Sequence, residues 1–198
     1  MTEWESKQAL GPGLPRPREA LTRTLAEAVE FAAGIEGPVV AKASGLAHKT
    51  ERRAVRLDAD LEECWEELAG LGDGTVLVAE QVRADLELIA GGLHDPQFGP
   101  IVSIGLGGVA AEVFQDVAFM LAPTRPGELE RAIGRLRCAP LLNGHRGWPV
   151  VDRQALQAIV DAIGRLLVDD PGVLEVDCNP VLVRAGRPLV ADALVVRA

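Results

Sequence analysis

Two segments of alternating character near the C-terminus, Leu174–Val183 and Leu189–Val196, flank a short turn at Ala185-Gly186. This pattern commits the end of the chain to an antiparallel hairpin. In Glu175-Val176-Asp177-Cys178-Asn179, a period of two sends Glu175, Asp177 and Asn179 to one face and Val176 and Cys178 to the other. Reading Ala185-Gly186 as a two-residue turn pairs Arg184 with Arg187 and, counting outward, sets Asn179 opposite Asp192. Directly opposed residues lie about 4.5–5.5 Å apart at Cβ, close enough to share an ion. Mg²⁺ takes hard oxygen donors, typically one or two carboxylates together with phosphate and water. Asp177, Asn179 and Asp192 are therefore candidate metal ligands. The competing reading of the same pattern is a solvated acidic strand face. Pro188 opposes the simple register, because it cannot donate to the ladder.

Upstream, caps and apolar runs mark the other elements. Thr24 with Glu27 forms a capping box and predicts a helix ending near Gly34. Val39-Val40-Ala41 reads as a short buried strand that delivers Lys42 at its end, and a further strand is expected at Ala54–Leu57. Asp60 caps a helix carrying Leu61, Cys64, Trp65 and Leu68, and Thr75–Val82 reads as a strand. A second block follows, with strands at Leu86–Ala90, Ile101–Ile104, Ala110–Phe114 and Val117–Leu121. Pro126 is placed to open a helix running to about Arg137. Asp152 is placed to cap a longer one with Leu156, Ile159, Val160, Ile163 and Leu167 on one face. The expected architecture is α+β in two lobes, about residues 10–82 and 83–198, after an extension at residues 1–9.

Composition narrows the partners. The chain has 198 residues, 48% of them apolar, enough for a substantial core. Its formal net charge of −9 and pI near 4.9 oppose a nucleic-acid or anionic-membrane partner, which would need a concentrated basic surface. Cys64, Cys138 and Cys178 form no CxxC pair, so neither a zinc site nor a disulfide framework is suggested. The first ten residues, MTEWESKQAL, are partly acidic and hold no apolar segment, which argues against a secretory signal. Every apolar run is too short to cross a bilayer. A cytoplasmic location is expected. Gly105-Leu-Gly107-Gly-Val-Ala110 fits a GxGxxA dinucleotide turn, but that turn must open a helix and strands are expected here. No GxxxxGK[ST] phosphate loop occurs.

Several segments together resemble a known family. Asp177-Cys-Asn179-Pro180-Val181, followed by a carboxylate in the next strand, is similar to the C-terminal metal motif of the ATP-grasp domain of ADP-forming (NDP-forming) acyl-CoA synthetases. Gly37-Pro-Val-Val-Ala-Lys42, Leu46-Ala-His48-Lys49-Thr50, Val78-Ala-Glu80, Asp95-Pro-Gln-Phe-Gly-Pro100, Gly105-Leu-Gly-Gly-Val109 and Leu141-Leu-Asn-Gly-His-Arg-Gly147 agree in the same order. The resemblance spans about residues 10–196. It implies an ATP-grasp fold with the nucleotide between two lobes, and ATP/ADP and Mg²⁺ as cofactors. It also implies a CoA-binding partner subunit in a possible hetero-oligomer. By the same resemblance Lys42 and Lys49 meet phosphate, Glu80 adenine and Glu87 the ribose hydroxyls. His48 would take part in phosphoryl relay, Arg146 would bind an anionic group, and Glu112 would add a carboxylate near the phosphates.

The chain also departs from that family. Arg53 and Ala54 stand where a Gly-Gly pair is usual, Met120 and Trp148 where arginine is common, and the interval from Lys42 to His48 is short. Two functions follow as expectations. One is the nucleotide-binding, β-like subunit of an ADP-forming acyl-CoA synthetase of the acetate–CoA ligase type. The other is a catalytically impaired ATP-grasp module that binds nucleotide and regulates a partner. A different ATP-grasp ligase forming an acyl phosphate ranks below both.

Overall fold

The computed structural model describes residues 1–45, 54–108 and 113–198, which fold as two compact units. One unit is Pro17–Val82. The other joins Glu3–Arg16 to Arg83–Ala198. The sequence reading sets residues 1–9 outside the domain and 10–16 in the first lobe. Instead α1 (Glu3–Ala9) packs on the C-terminal strand, and the backbone of Val190 donates to the Pro15 carbonyl at 2.8 Å.

In the Pro17–Val82 unit, β1 (Glu19–Thr22), β2 (Val39–Ala43), β3 (Val55–Arg56) and β4 (Val76–Glu80) form one antiparallel sheet in the order β1-β4-β2-β3. Helices α2 (Leu25–Ala33) and α3 (Leu61–Leu71) start where the caps place them. Thr24 Oγ1 accepts from the Glu27 N–H at 3.2 Å, and Asp60 Oδ1 accepts from Glu62 and Glu63. Each such cap stabilises its helix by about 1 kcal/mol. Val39, Ala41, Leu68, Val76 and Val78 meet in this unit's core.

The larger unit is built on six strands, again antiparallel throughout. They are β5 (Leu86–Asp95), β6 (Gly99–Leu106), β7 (Val117–Leu121), β8 (Val173–Arg184), β9 (Arg187–Val190) and β10 (Leu194–Arg197). The order is β10-β8-β5-β6-β7, with β9 also on β8. Helices α4 (Glu128–Arg135), α5 (Ala139–Leu142) and α6 (Arg153–Asp169) complete the unit. Leu156, Ile159, Val160, Ile163 and Leu167 of α6 are at most 1% exposed and seal one face of the sheet. Full burial of such a side chain contributes about 1.5–3 kcal/mol.

Three expected elements differ, and the first is the strand at Leu189–Val196, which breaks at residues 191–193 into β9 and β10. Helix α4 begins at Glu128 behind Gly127, so Pro126 lies in the preceding turn. Of the strand expected at Ala110–Phe114, residues 110–112 lie outside the described residues, and Val113 and Phe114 are helical. Strand character there thus does not exclude a dinucleotide turn. The antiparallel sheet does, because that turn belongs to parallel βαβ units.

The hairpin register is the one counted from the turn. Arg184 pairs with Arg187, Val183 with Pro188 and Val181 with Val190. Pro188 is tolerated because alternate residues of β9 turn their N–H away from β8, as Val190 does toward the Pro15 carbonyl, so no ladder bond is lost. Ala185 and Gly186 have φ of 49° and 81°, the left-handed values of a two-residue hairpin turn. The Ala185 N–H donates to Asp85 Oδ2 at 2.8 Å. A Cβ on Gly186 would lie 2.4 Å from the Val150 carbonyl oxygen. Gly186→Ala is therefore expected to lower unfolding free energy by about 1–3 kcal/mol, read by urea denaturation.

Candidate functional site

Strand β8 pairs with β5, β9 and β10, and its alternation sorts the expected ligands. Val176 and Cys178 are buried at 1% and 0% against the α6 side, so Glu175 and Asp177 turn to the other face. The Asn179 N–H donates to the Asp192 carbonyl at 3.2 Å, and Leu194 pairs with Asp177. Asp192 therefore stands opposite Asn179 and diagonal to Asp177, as counted from the hairpin turn. The pairing of β8 with β5 slips by one residue, from Ala90–Cys178 to Leu88–Val181. The extra residue falls at Asn179-Pro180 and makes a β-bulge, which returns Val181 and Val183 to the core.

Across this outer face the sheet presents small residues beside the acids. Asp177 pairs with Gly91, and Gly91 with Ser103. The missing side chain leaves a recess of about 140 Å³ next to Asp177 and Glu175. Burial raises the Asp177 carboxyl above its ordinary value of 3.8, and the charges of Glu175 and Asp192 push it the same way. Two carboxylates, an amide and a recess suit a hard divalent cation, which would relieve that repulsion. Among the described residues no group of three or more His, Cys, Asp or Glu side chains is arranged to hold a metal alone. The donor set thus fits a cation that completes its shell with phosphate and water.

Glu87 lies on the same outer face, since Leu86 and Leu88 on either side of it are buried. It pairs with Leu182, four residues along β5 from Gly91, a separation of about 13 Å. The glycine-rich turn after β6 closes directly on it. The Gly107 N–H donates to the Glu87 carbonyl at 2.8 Å, and a Cβ on Gly108 would come within 2.8 Å of Glu87 Oε2. This contact gives Gly107-Gly108 a reason that the motif alone does not supply.

The remaining candidates are more scattered. Lys42 is half-buried and sits on the sheet face shared by Val40, Leu77 and Ala79, away from α2 and α3. Glu80 alternates with Val76 and Val78, so its side chain falls on the other face from Lys42. Its N–H is taken by the Arg18 carbonyl at 2.8 Å. Arg146 is exposed at φ 53° in a loop whose Val150 abuts the Gly186 turn, at the far end of the hairpin from Asp177. His48, Lys49, Arg53 and Glu112 lie outside the described residues.

Two apparent departures change meaning. Met120 is 5% exposed and packs in the core, while Phe119 and Leu121 occupy the outer face. A side chain at position 120 therefore points away from the acids, and methionine there removes no ligand from that face. Ala54 is 1% exposed within the smaller core. The cysteines are uninvolved: all three are buried, and burial pushes the Cys138 and Cys178 thiols up to about 12. They stay protonated at neutral pH.

The raised Asp177 carboxyl has a testable sign. The native state holds this proton to higher pH than the unfolded chain does, so its contribution to stability is lost as pH rises through the native value. Asp177→Asn is expected to raise the thermal midpoint at pH 7, with the gain shrinking as pH falls toward 3.8. Thermal denaturation across pH checks it.

The chain as a whole is similar to known proteins. Residues 1–196 match the ATP-grasp domain family. The chain is 35% identical to the acetate–CoA ligase [ADP-forming] II subunit beta of Pyrococcus furiosus, covering 99% of this chain and 91% of that one. It is 32% identical to a prokaryotic trans-feruloyl-CoA synthase, of which it spans only 30%. Among solved structures it is similar to the dinucleotide-forming acetyl-coenzyme A synthetase 1 of Ca. Korarchaeum cryptofilum in complex with coenzyme A and Mg-AMPPCP. There the TM-score is 0.83 at 32% identity, over 99% of this chain and 92% of that one. The chain belongs to the ATP-grasp family, in the group that contains the β subunits of ADP-forming acetate–CoA ligases.

Proposed function

We propose that this protein is the Mg-nucleotide-binding, β-like subunit of an ADP-forming acyl-CoA synthetase, acting with a separate CoA-binding partner. The observation that carries the reading is the outer face of the six-stranded sheet, where Asp177 borders a recess and Asp192 stands opposite Asn179 and diagonal to Asp177. Asp177, Asn179 and Asp192 hold Mg²⁺, and Glu87 accepts hydrogen bonds from the ribose hydroxyls, a role that suits a carboxylate. Lys42 and Lys49 hold phosphate as point charges, and Arg146 is assigned to an anionic group. His48 takes part in phosphoryl relay. Bound Mg²⁺ supplies neutralisation of phosphate charge during transfer. Coverage of 91% of a ligase β subunit supports a partner subunit for the CoA chemistry.

Glu80 is the weakest of these assignments, because its side chain does not share a face with Lys42. Its place near adenine rests on backbone. The second reading, a nucleotide-binding regulator without turnover, rested on Arg53, Ala54 and Met120. Met120 faces the core and gives that reading no support, while the Arg53-Ala54 replacement of a Gly-Gly pair still motivates it.

Two substitutions separate the roles. Asp192→Ala is expected to weaken ATP binding roughly tenfold in Mg²⁺ and to leave metal-free binding unchanged, a loss of about 1.4 kcal/mol by calorimetry. Gly108→Ala displaces the Glu87 carboxylate, so it is expected to weaken ATP and ADP binding with or without Mg²⁺. Mg-ATP binding without phosphoryl transfer beside a cognate CoA-binding partner would favour the regulator.

A further inference from the structure

Three polar side chains of α1 are buried in the larger unit: Glu3 at 6%, Ser6 at 0% and Lys7 at 0% exposure. Lys7 Nζ donates to Glu3 Oε1 at 2.9 Å and to the Ala191 carbonyl at 2.9 Å. The Val195 N–H donates to Ser6 Oγ at 3.0 Å. Both strand contacts land on residues 191–195, the stretch that contains the break between β9 and β10 and carries Asp192.

Strand β8 holds that stretch through the Asn179 N–H, which donates to the Asp192 carbonyl at 3.2 Å, but its ladder is incomplete one residue earlier. The Ala191 N–H donates to the Pro180 carbonyl at 3.0 Å, and Pro180 has no N–H with which to return the bond. Lys7 supplies a donor to the Ala191 carbonyl from the other side. Stability alone does not call for a charged pair here. A buried ion pair is commonly no more stabilising than apolar side chains of the same volume, because both charges must be desolvated. What the pair adds is position, since Glu3 holds the ammonium where it meets the Ala191 carbonyl.

We propose that the buried Lys7–Glu3 pair is a positioning device that fixes the 191–193 break and so aims the Asp192 carboxylate toward Asp177. The inference rests on the Mg-nucleotide reading of Asp177 and Asp192. In this scheme Lys7 acts through its bond to the Ala191 carbonyl, next to Asp192 in the chain.

Lys7→Met alone would leave Glu3 buried without its partner, so the informative variant is Glu3→Leu with Lys7→Met, which removes both charges and keeps the volume. The full chain is measured for thermal midpoint and for ATP affinity with and without Mg²⁺. Expected is a midpoint within about 4 °C of the parent. The Mg-dependent gain in ATP affinity is expected to fall about tenfold, the loss typical of an orienting contact behind a ligand, with metal-free affinity unchanged. A double variant with the parent's Mg²⁺ response overturns the proposal, whatever its midpoint. If that variant does not fold, Glu3→Gln with Lys7→Met, which removes the donor to Ala191 and leaves a neutral group at position 3, must show a Mg-specific loss, and an unchanged response there overturns the proposal equally. Loss in Asp192→Ala without loss in these variants sinks this inference alone. Parent ATP binding that ignores Mg²⁺ sinks the site reading, and this inference with it.

Discussion

Everything at the site depends on the register of β8. This one strand pairs with β5 on one side and with β9 and β10 on the other, while α6 seals its Val176 and Cys178 side. A slip of one residue would turn every outer acid into the core, where an unpaired carboxylate is strongly unfavourable. The turn at Ala185-Gly186 fixes the count from one end, and the apolar residues that meet α6 fix it from the face. With both satisfied, β8 has one register available and Asp177 one face.

That arrangement is electrostatically unfavourable by itself. Glu175, Asp177 and Asp192 share one face, and Asp177 is partly withdrawn from water. Such an array persists because the surrounding structure over-determines it, a pattern expected where a cation or its phosphate partner completes the charge. The same tension explains the hardware around it. Gly91 leaves space instead of a side chain, the bulge at Asn179-Pro180 redirects the strand, and Lys7 of α1 takes the Ala191 carbonyl that Pro180 cannot.

Much of the fold was legible along the chain because its signals are local. Thr24, Asp60 and Asp152 cap helices through bonds to residues two or three positions on, and these fall as read. The hairpin count from Arg184–Arg187 to Asn179 and Asp192 also holds, since a two-residue turn carries its register outward. The misplaced features are those set by distant partners. Met120 resembled a lost ligand until its strand was seen to turn it inward. Residues 3–9 resembled an extension because Glu3, Ser6 and Lys7 look like solvent-facing groups in any linear reading.

Sequence alone therefore determined the capped helices α2, α3 and α6, the acidic face of β8 and the pairing of Asn179 with Asp192. Alternation, capping and turn geometry all act within a few residues. Only the tertiary structure decided that Gly107-Gly108 closes on Glu87, that Glu80 and Lys42 take different faces, and that a buried lysine at position 7 grips the strand at position 191. Those facts depend on which surfaces meet across long intervals of chain, and close packing, which no local pattern encodes, selects among them.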